Sequence, residues 1–113
     1  MSKSTYQVVW SQVAKERIAD IYLWHCLDYG EKRANKIVSS IEDAAQEIAR
    51  FPLSAPIFEE LSEADEPVRV KLVKSTYKII YWIDGNTVFI VDIFHAAQDM
   101  FGEDTKRPNN DIQ

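Results

Sequence analysis

The sequence predicts an α+β fold in the order β-α-α-β-β-β, an N-terminal helical hairpin packed on an antiparallel sheet that is made mixed by the first strand. Three observations predict it. Two stretches with apolar residues at three- and four-residue spacing follow one another with Gly30 at the break. From Val68 onward the apolar period changes to two. Within that second part, Asp84-Gly85-Asn86 separates two runs of β-branched and aromatic residues, the composition of a tight hairpin whose turn residues tolerate positive φ.

Each element has its own signal. Tyr6 to Trp10 reads as a short strand of β-formers, and Ser11 then offers an N-cap oxygen to the first helix. Ala14, Ile18, Ile21, Tyr22, His25 and Tyr29 share one face of that helix and are expected in the core, with Gly30 as its stop. Val13, Leu23, Trp24 and Leu27 form a second apolar stripe, interrupted by Glu16 and Asp20, that calls for another cover. The second helix is expected from about Glu31 to Arg50, with Ala34, Ile37, Val38, Ile41, Ala44, Ala45 and Ile48 as its seam. So short a link turns the two helices back on each other. Phe51-Pro52 ends the second helix, and the stretch to Pro67, rich in proline and acid, is expected to be an irregular surface loop.

In the sheet, Val68, Val70 and Leu72 alternate with Arg69 and Lys71, which predicts a strand with one buried and one basic face. Lys74-Ser75-Thr76 reads as a turn. Tyr77 to Ile83 and Thr87 to Phe94 are the expected central strands, with Ile79, Tyr81 and Ile83 on one face of the first and Ile80 and Trp82 on the other. Residues 1–101 are read as a single domain and 102–113 as a polar, mobile tail.

Composition narrows the function classes. A chain of 113 residues has room for one core. The lone Cys26 forms no intramolecular disulfide and supplies none of the paired spacings of a zinc site, so no metal and no cofactor is expected. With no leader-like start and no apolar run near the ~20 residues a bilayer span needs, a cytoplasmic location without membrane contact is expected. The net charge of −5 argues against broad attraction to nucleic acid. Its distribution is uneven: Glu59, Glu60, Glu63, Asp65 and Glu66 crowd together, whereas Val68 to Ile83 holds Arg69, Lys71, Lys74 and Lys78 and no acid.

Three local patterns, taken together, resemble a known family. Ala49-Arg50-Phe51-Pro52 closes the second helix. Tyr77-Lys78-Ile79-Ile80-Tyr81 is followed by Ile83-Asp84-Gly85, similar to a "YRIxYxxDG" hairpin with Lys78 in place of the arginine. Val88 to Ile93 leads into His95-Ala96-Ala97-Gln98-Asp99, similar to an "HxxRD" ending with Gln98 in place of the arginine. In this order they resemble the RelE/ParE toxin superfamily from Tyr6 to about Phe101. The resemblance implies the toxin of a type II toxin-antitoxin, or plasmid stabilisation, system. A ParE-like member inhibits DNA gyrase by protein contact and is neutralised by an antitoxin, through which alone it would meet operator DNA. A RelE-like member is a ribosome-dependent mRNA endoribonuclease, and only on that reading is the chain an enzyme. A third reading is a degenerate, non-toxic partner kept for antitoxin binding or autorepression, and a homodimer is compatible with any of the three.

The resemblance directs attention to particular side chains. RNA cleavage needs a base for the 2′-hydroxyl, an acid for the leaving oxygen and cations for the developing phosphorane charge. His95 has the chemistry for acid or base, and Arg69, Lys71 and Lys78 for the cations, with His95 and Lys78 as the catalytic candidates. For target binding the candidates are Arg69, Lys71, Lys74, Lys78 and His95, against the plainer reading of a solvated strand face and a hydrogen-bonded packing histidine. Leu23, Trp24, Leu27 and Trp82 are the candidate antitoxin anchors, against the alternative that the first three pack beneath the loop after Pro52. His25, on the core stripe, reads as a satisfied core histidine.

Overall fold

The structure is a computed structural model in which residues 5–62 and 66–97 are described. Strand β1 (Gln7–Trp10) ends at Ser11, whose hydroxyl accepts the Ala14 N–H at 2.9 Å and so caps helix α1 (Gln12–Tyr29). Gly30, at φ +98°, stops α1 in a conformation that side chains resist, and helix α2 (Glu31–Arg50) departs at once in the reverse direction. The helical hairpin is thus the one expected, to within a residue.

α2 supplies most of the helical core. Ala34, Ile41, Ala44, Ala45, Ile48 and Ala49 are buried along its seam, while α1 fully buries only Ala14 and Ile21. The alanines let the helices and sheet approach closely, and the isoleucines fill the space that remains. Tyr29, expected in the core, is instead 66% exposed. α1 touches the sheet through His25, and its final turn runs on past that contact.

After α2 the chain is more ordered than its composition suggested. Ile57 forms an antiparallel bridge with Arg69, Val70 N–H donates to Pro56 O at 3.1 Å, and a 3₁₀ turn spans Glu59–Leu61. Strands β2 (Arg69–Val73), β3 (Tyr77–Asp84) and β4 (Thr87–His95) then complete a sheet in the order β1-β4-β3-β2. β1 runs parallel to β4 and the other pairs are antiparallel, which is the mixed sheet the sequence predicts. At the β3–β4 turn Gly85 alone takes positive φ, +60°, the pattern of a type II′ hairpin, so Asn86 does not need the tolerance ascribed to it. Glu63, Asp65, Gln98, Asp99, Phe101 and the 102–113 tail lie outside the described residues.

A β-bulge breaks the alternation on β4. Ile80 faces Asp92 while Tyr81 faces Ile90, which leaves Val91 without a partner on β3. Core positions on β4 therefore run Val88, Ile90, Ile93 instead of every second residue. The Ser11 hydroxyl donates to the Val91 carbonyl at 2.7 Å, so one side chain both caps α1 and satisfies the bulged residue.

Directly opposed residues of neighbouring strands share a face, and this fixes the two sides of the sheet. Toward the helices lie the groups Val73, Tyr77 and His95; Lys71, Ile79 and Ile93; Arg69, Tyr81 and Ile90. Away from them lie Leu72, Lys78 and Phe94; Val70, Ile80 and Asp92; Trp82, Phe89 and Val9. The strand β2 is thereby the reverse of the expectation. Leu72 is 53% exposed, and Arg69 and Lys71 point to the helix side along with buried Val73. At a sheet edge a lysine or arginine stem can cover the core rim while its charged end reaches a partner, so alternation alone does not say which set turns in.

Candidate functional site

The four cations read as one target-binding set are divided by the fold, and the expectation that they act together is corrected. Arg69 donates from Nη1 to the carbonyls of Ala55 at 2.6 Å and Leu53 at 3.2 Å. Lys71 is paired with Glu47 of α2 at 3.2 Å. Lys71 and Lys74 line a cleft of about 260 Å³ together with Asp43 and Glu47, so acids of α2 offset them. Lys74 sits in the β2–β3 turn at φ +51°, and Lys78 faces the opposite side of the sheet beside Leu72 and Phe94.

His95 belongs to an aromatic cluster on the helix side. Its ring meets the Tyr77 ring edge-on at 5.3 Å, and its Nδ1 accepts the Ala97 N–H at 3.0 Å. The Tyr77 hydroxyl is 3.0 Å from His25 Nε2, and burial pushes that hydroxyl above its ordinary pKa. His25 Nδ1 is buried without a hydrogen-bond partner among the described residues. His25 is thus half of a satisfied core histidine: one nitrogen is bonded to Tyr77 and the other is not. Lys78 is absent from this cluster, since cross-strand pairing sets it on the other face of β3 from Tyr77 and His95. His95 and Lys78 are therefore separated by the sheet, while Arg69 and Lys71 share its helix side with His95 and are held in internal bonds.

The apolar candidates are accessible but do not form one patch. Leu23, Trp24 and Leu27 are 53%, 57% and 75% exposed on α1. Trp82 is half-buried on the far side of the sheet, where it stacks on Phe89 at 4.9 Å. Two features escaped the sequence reading. Arg17 of α1 reaches Asp92 with two hydrogen bonds of 3.0 and 3.1 Å and lies 5.7 Å from the Phe94 ring, and the paired carboxylate holds the guanidinium above its already high pKa. No local spacing announces that pair, because its members are far apart in sequence. The other is the run Lys32, Arg33 and Lys36 at the start of α2, legible as bases where a helix favours acids.

A helical hairpin covers one face of a mixed sheet, with Arg17, Arg69, Lys71 and both histidines in internal bonds and Leu23, Trp24 and Leu27 exposed on α1, the architecture of a small α+β domain. Residues 8–100 match the family described as the ParE toxin of type II toxin-antitoxin system, parDE, and the chain belongs to that family. Among solved structures, it is similar to one of the chromosomal ParDE system from P. aeruginosa, at 17% identity and a TM-score of 0.68, over 80% of this chain and 96% of that one. It is also similar to one of the RelBE2 toxin-antitoxin complex from Mycobacterium tuberculosis, at 20% identity and a TM-score of 0.58, over 86% and 98%. No curated protein matches the chain. The two structures share its RelE/ParE-like α+β fold. No helix among the described residues is long and apolar enough to cross a membrane.

Proposed function

We propose that this toxin acts by binding, as an inhibitor of DNA gyrase held in check by a cognate antitoxin. The observation that carries the reading is the internal use of the polar groups cleavage would need. Arg69 grips loop carbonyls, Lys71 is paired with Glu47, and Lys78 lies across the sheet from His95. Phosphoryl transfer needs such cations converged on one phosphate within about 3 Å of the developing charge. Membership of the ParE toxin family supports the same direction. On this reading Lys74, Lys78 and His95 remain the target-contact candidates, while Arg69 and Lys71 serve the fold.

The experiment is induction of the chain in a bacterial host, alongside a supercoiling assay with purified gyrase. The expected result is an SOS response, broken chromosomes and loss of supercoiling, with ribosome-bound messages intact. Messages cut on the ribosome, with gyrase unaffected, would reject the proposal. They would favour the nuclease reading, which the contact between Tyr77 and His95 supports. In that event His95→Ala tests the histidine as acid or base.

A further inference from the structure

Lys32, Arg33 and Lys36 occupy the first two turns of α2, where the summed peptide dipoles leave partial positive charge and disfavour cations. Among the described residues no carboxylate lies within 4.0 Å of any of the three. Glu31 in the same turn and Asp28 at the end of α1 are the nearest acids in sequence, and neither forms an ion pair with the three. The other acids of α2, Glu42, Asp43 and Glu47, lie in its second half, and Glu47 is taken by Lys71. The Arg33 guanidinium lies 5.3 Å from the Tyr29 ring. Tyr29, Lys32, Arg33, Asn35, Lys36 and Ser39, all exposed, line an open cleft of about 600 Å³ at the tip of the hairpin.

The geometry points to this cleft as a docking site for an acidic peptide segment of a protein partner, and the inference rests on the reading that the chain works by binding proteins. Charge complementarity selects the occupant. A long polyanion such as nucleic acid feels the whole molecule, whose net charge is −5, with Glu42 and Asp43 on the same helix. A short peptide feels only what lies within a screening length of about 8 Å at physiological salt. Lys32 and Lys36 stand one helical turn apart and so match carboxylates on successive turns of a helix or on alternate residues of a strand. The Tyr29 ring and the lysine stems supply apolar contact between those charges.

Amide NMR spectra of the full chain test this with three probes: a short peptide alternating glutamate with leucine, its glutamine counterpart, and a short single-stranded RNA. The acidic peptide is expected to shift residues 29–39 saturably, and the glutamine peptide is not. In the triple variant Lys32→Gln, Arg33→Gln, Lys36→Gln the peptide affinity should fall about tenfold or more as charge-assisted contacts are lost. Its Tm should stay level or rise, because cations at the positive helix end are removed. Shifts that map elsewhere, equal shifts with the glutamine peptide, stronger shifts of the same residues with RNA, or a lowered Tm in the triple variant would each overturn the inference. Gyrase inhibition measured on the same unsubstituted preparation reports separately on the reading beneath it. An active inhibitor whose tip ignores the peptide fails only the docking site.

Discussion

Arg69 and Tyr81 are cross-strand neighbours that act on one target, the stretch of chain leaving α2. The Tyr81 hydroxyl donates to the Pro52 carbonyl at 2.6 Å, while Arg69 takes the carbonyls of Leu53 and Ala55. The Pro52 and Ala55 carbonyls, buried and half-buried, have no helix or strand to satisfy them, so the pair substitutes for a ladder, while the Leu53 carbonyl is exposed. Arg69→Ala should therefore lower stability by about 1–3 kcal/mol, the worth of charge-assisted bonds plus acceptors left unmet. Lys78→Ala, which breaks no hydrogen bond or ion pair among the described residues, should stay within about 0.5 kcal/mol of the parent. Urea midpoints of the two variants decide it, and equal losses would mean that Arg69 is not holding the loop. Tyr77 makes a pH prediction of the same kind. Burial raises its hydroxyl pKa above the unfolded value of about 10, so its contribution is complete below about pH 10 and is lost as pH climbs through the higher folded value. Stability should fall on the alkaline side, and less steeply in Tyr77→Phe. Parallel urea titrations at neutral and strongly alkaline pH measure that difference, and identical slopes would show that the hydroxyl ionises as freely in the folded chain.

Two connections hold the elements in register by opposite means. Gly30 joins the helices at φ +98°, a backbone state almost closed to other residues, although an added Cβ there would meet nothing within 4 Å. Gly30→Ala should thus destabilise through backbone strain alone, by about 1–3 kcal/mol. The β2–β3 turn does the reverse: Lys74 and Ser75 sit at φ +51° and +59°, the left-handed region that costs a side chain roughly 1–2 kcal/mol per residue. Ser75→Gly should relieve one of these, less about 0.5–1 kcal/mol of added unfolded-state entropy, for a net gain of a few tenths to 1 kcal/mol. Thermal melts of the two variants should move in opposite directions, and a destabilised Ser75→Gly would mean that the serine side chain supports the turn. The elements themselves were legible because α2 has a regular seam, Gly30 interrupts the helical period, and Asp84-Gly85 marks the hairpin. The facing of β2 was not legible. In Val68-Arg69-Val70-Lys71-Leu72-Val73 either alternate set ends in apolar residues, and the partners that draw the cations inward, Glu47 and the carbonyls at 53 and 55, are distant in sequence. The bulge at Val91 was hidden for a similar reason, since every residue around it is a good strand former.

At the scale of the whole molecule, the sheet separates two surfaces that both retain exposed aromatic or apolar groups. On the helix side, Leu23, Trp24 and Leu27 project from α1. On the other side, Trp82 and Phe89 stack within a face that also carries Val9 and Leu72, 44% and 53% exposed. An antitoxin that uses both must pass around an edge of the sheet, which an extended, wrapping segment can do and a compact domain cannot. If Trp24 and Trp82 are both anchors, Trp24→Ala and Trp82→Ala should each weaken antitoxin affinity by about 2 kcal/mol, the usual scale of a tryptophan hot spot. Because the two side chains lie in different layers with no shared partner among the described residues, the double variant should add the two losses to within about 0.5 kcal/mol. Isothermal titration calorimetry with the cognate antitoxin measures this, with circular dichroism confirming that each variant is folded. A silent Trp82→Ala would confine the antitoxin to the helical layer, and a double variant far from the sum would mean that one flexible contact, shared between the two sides, has been counted twice.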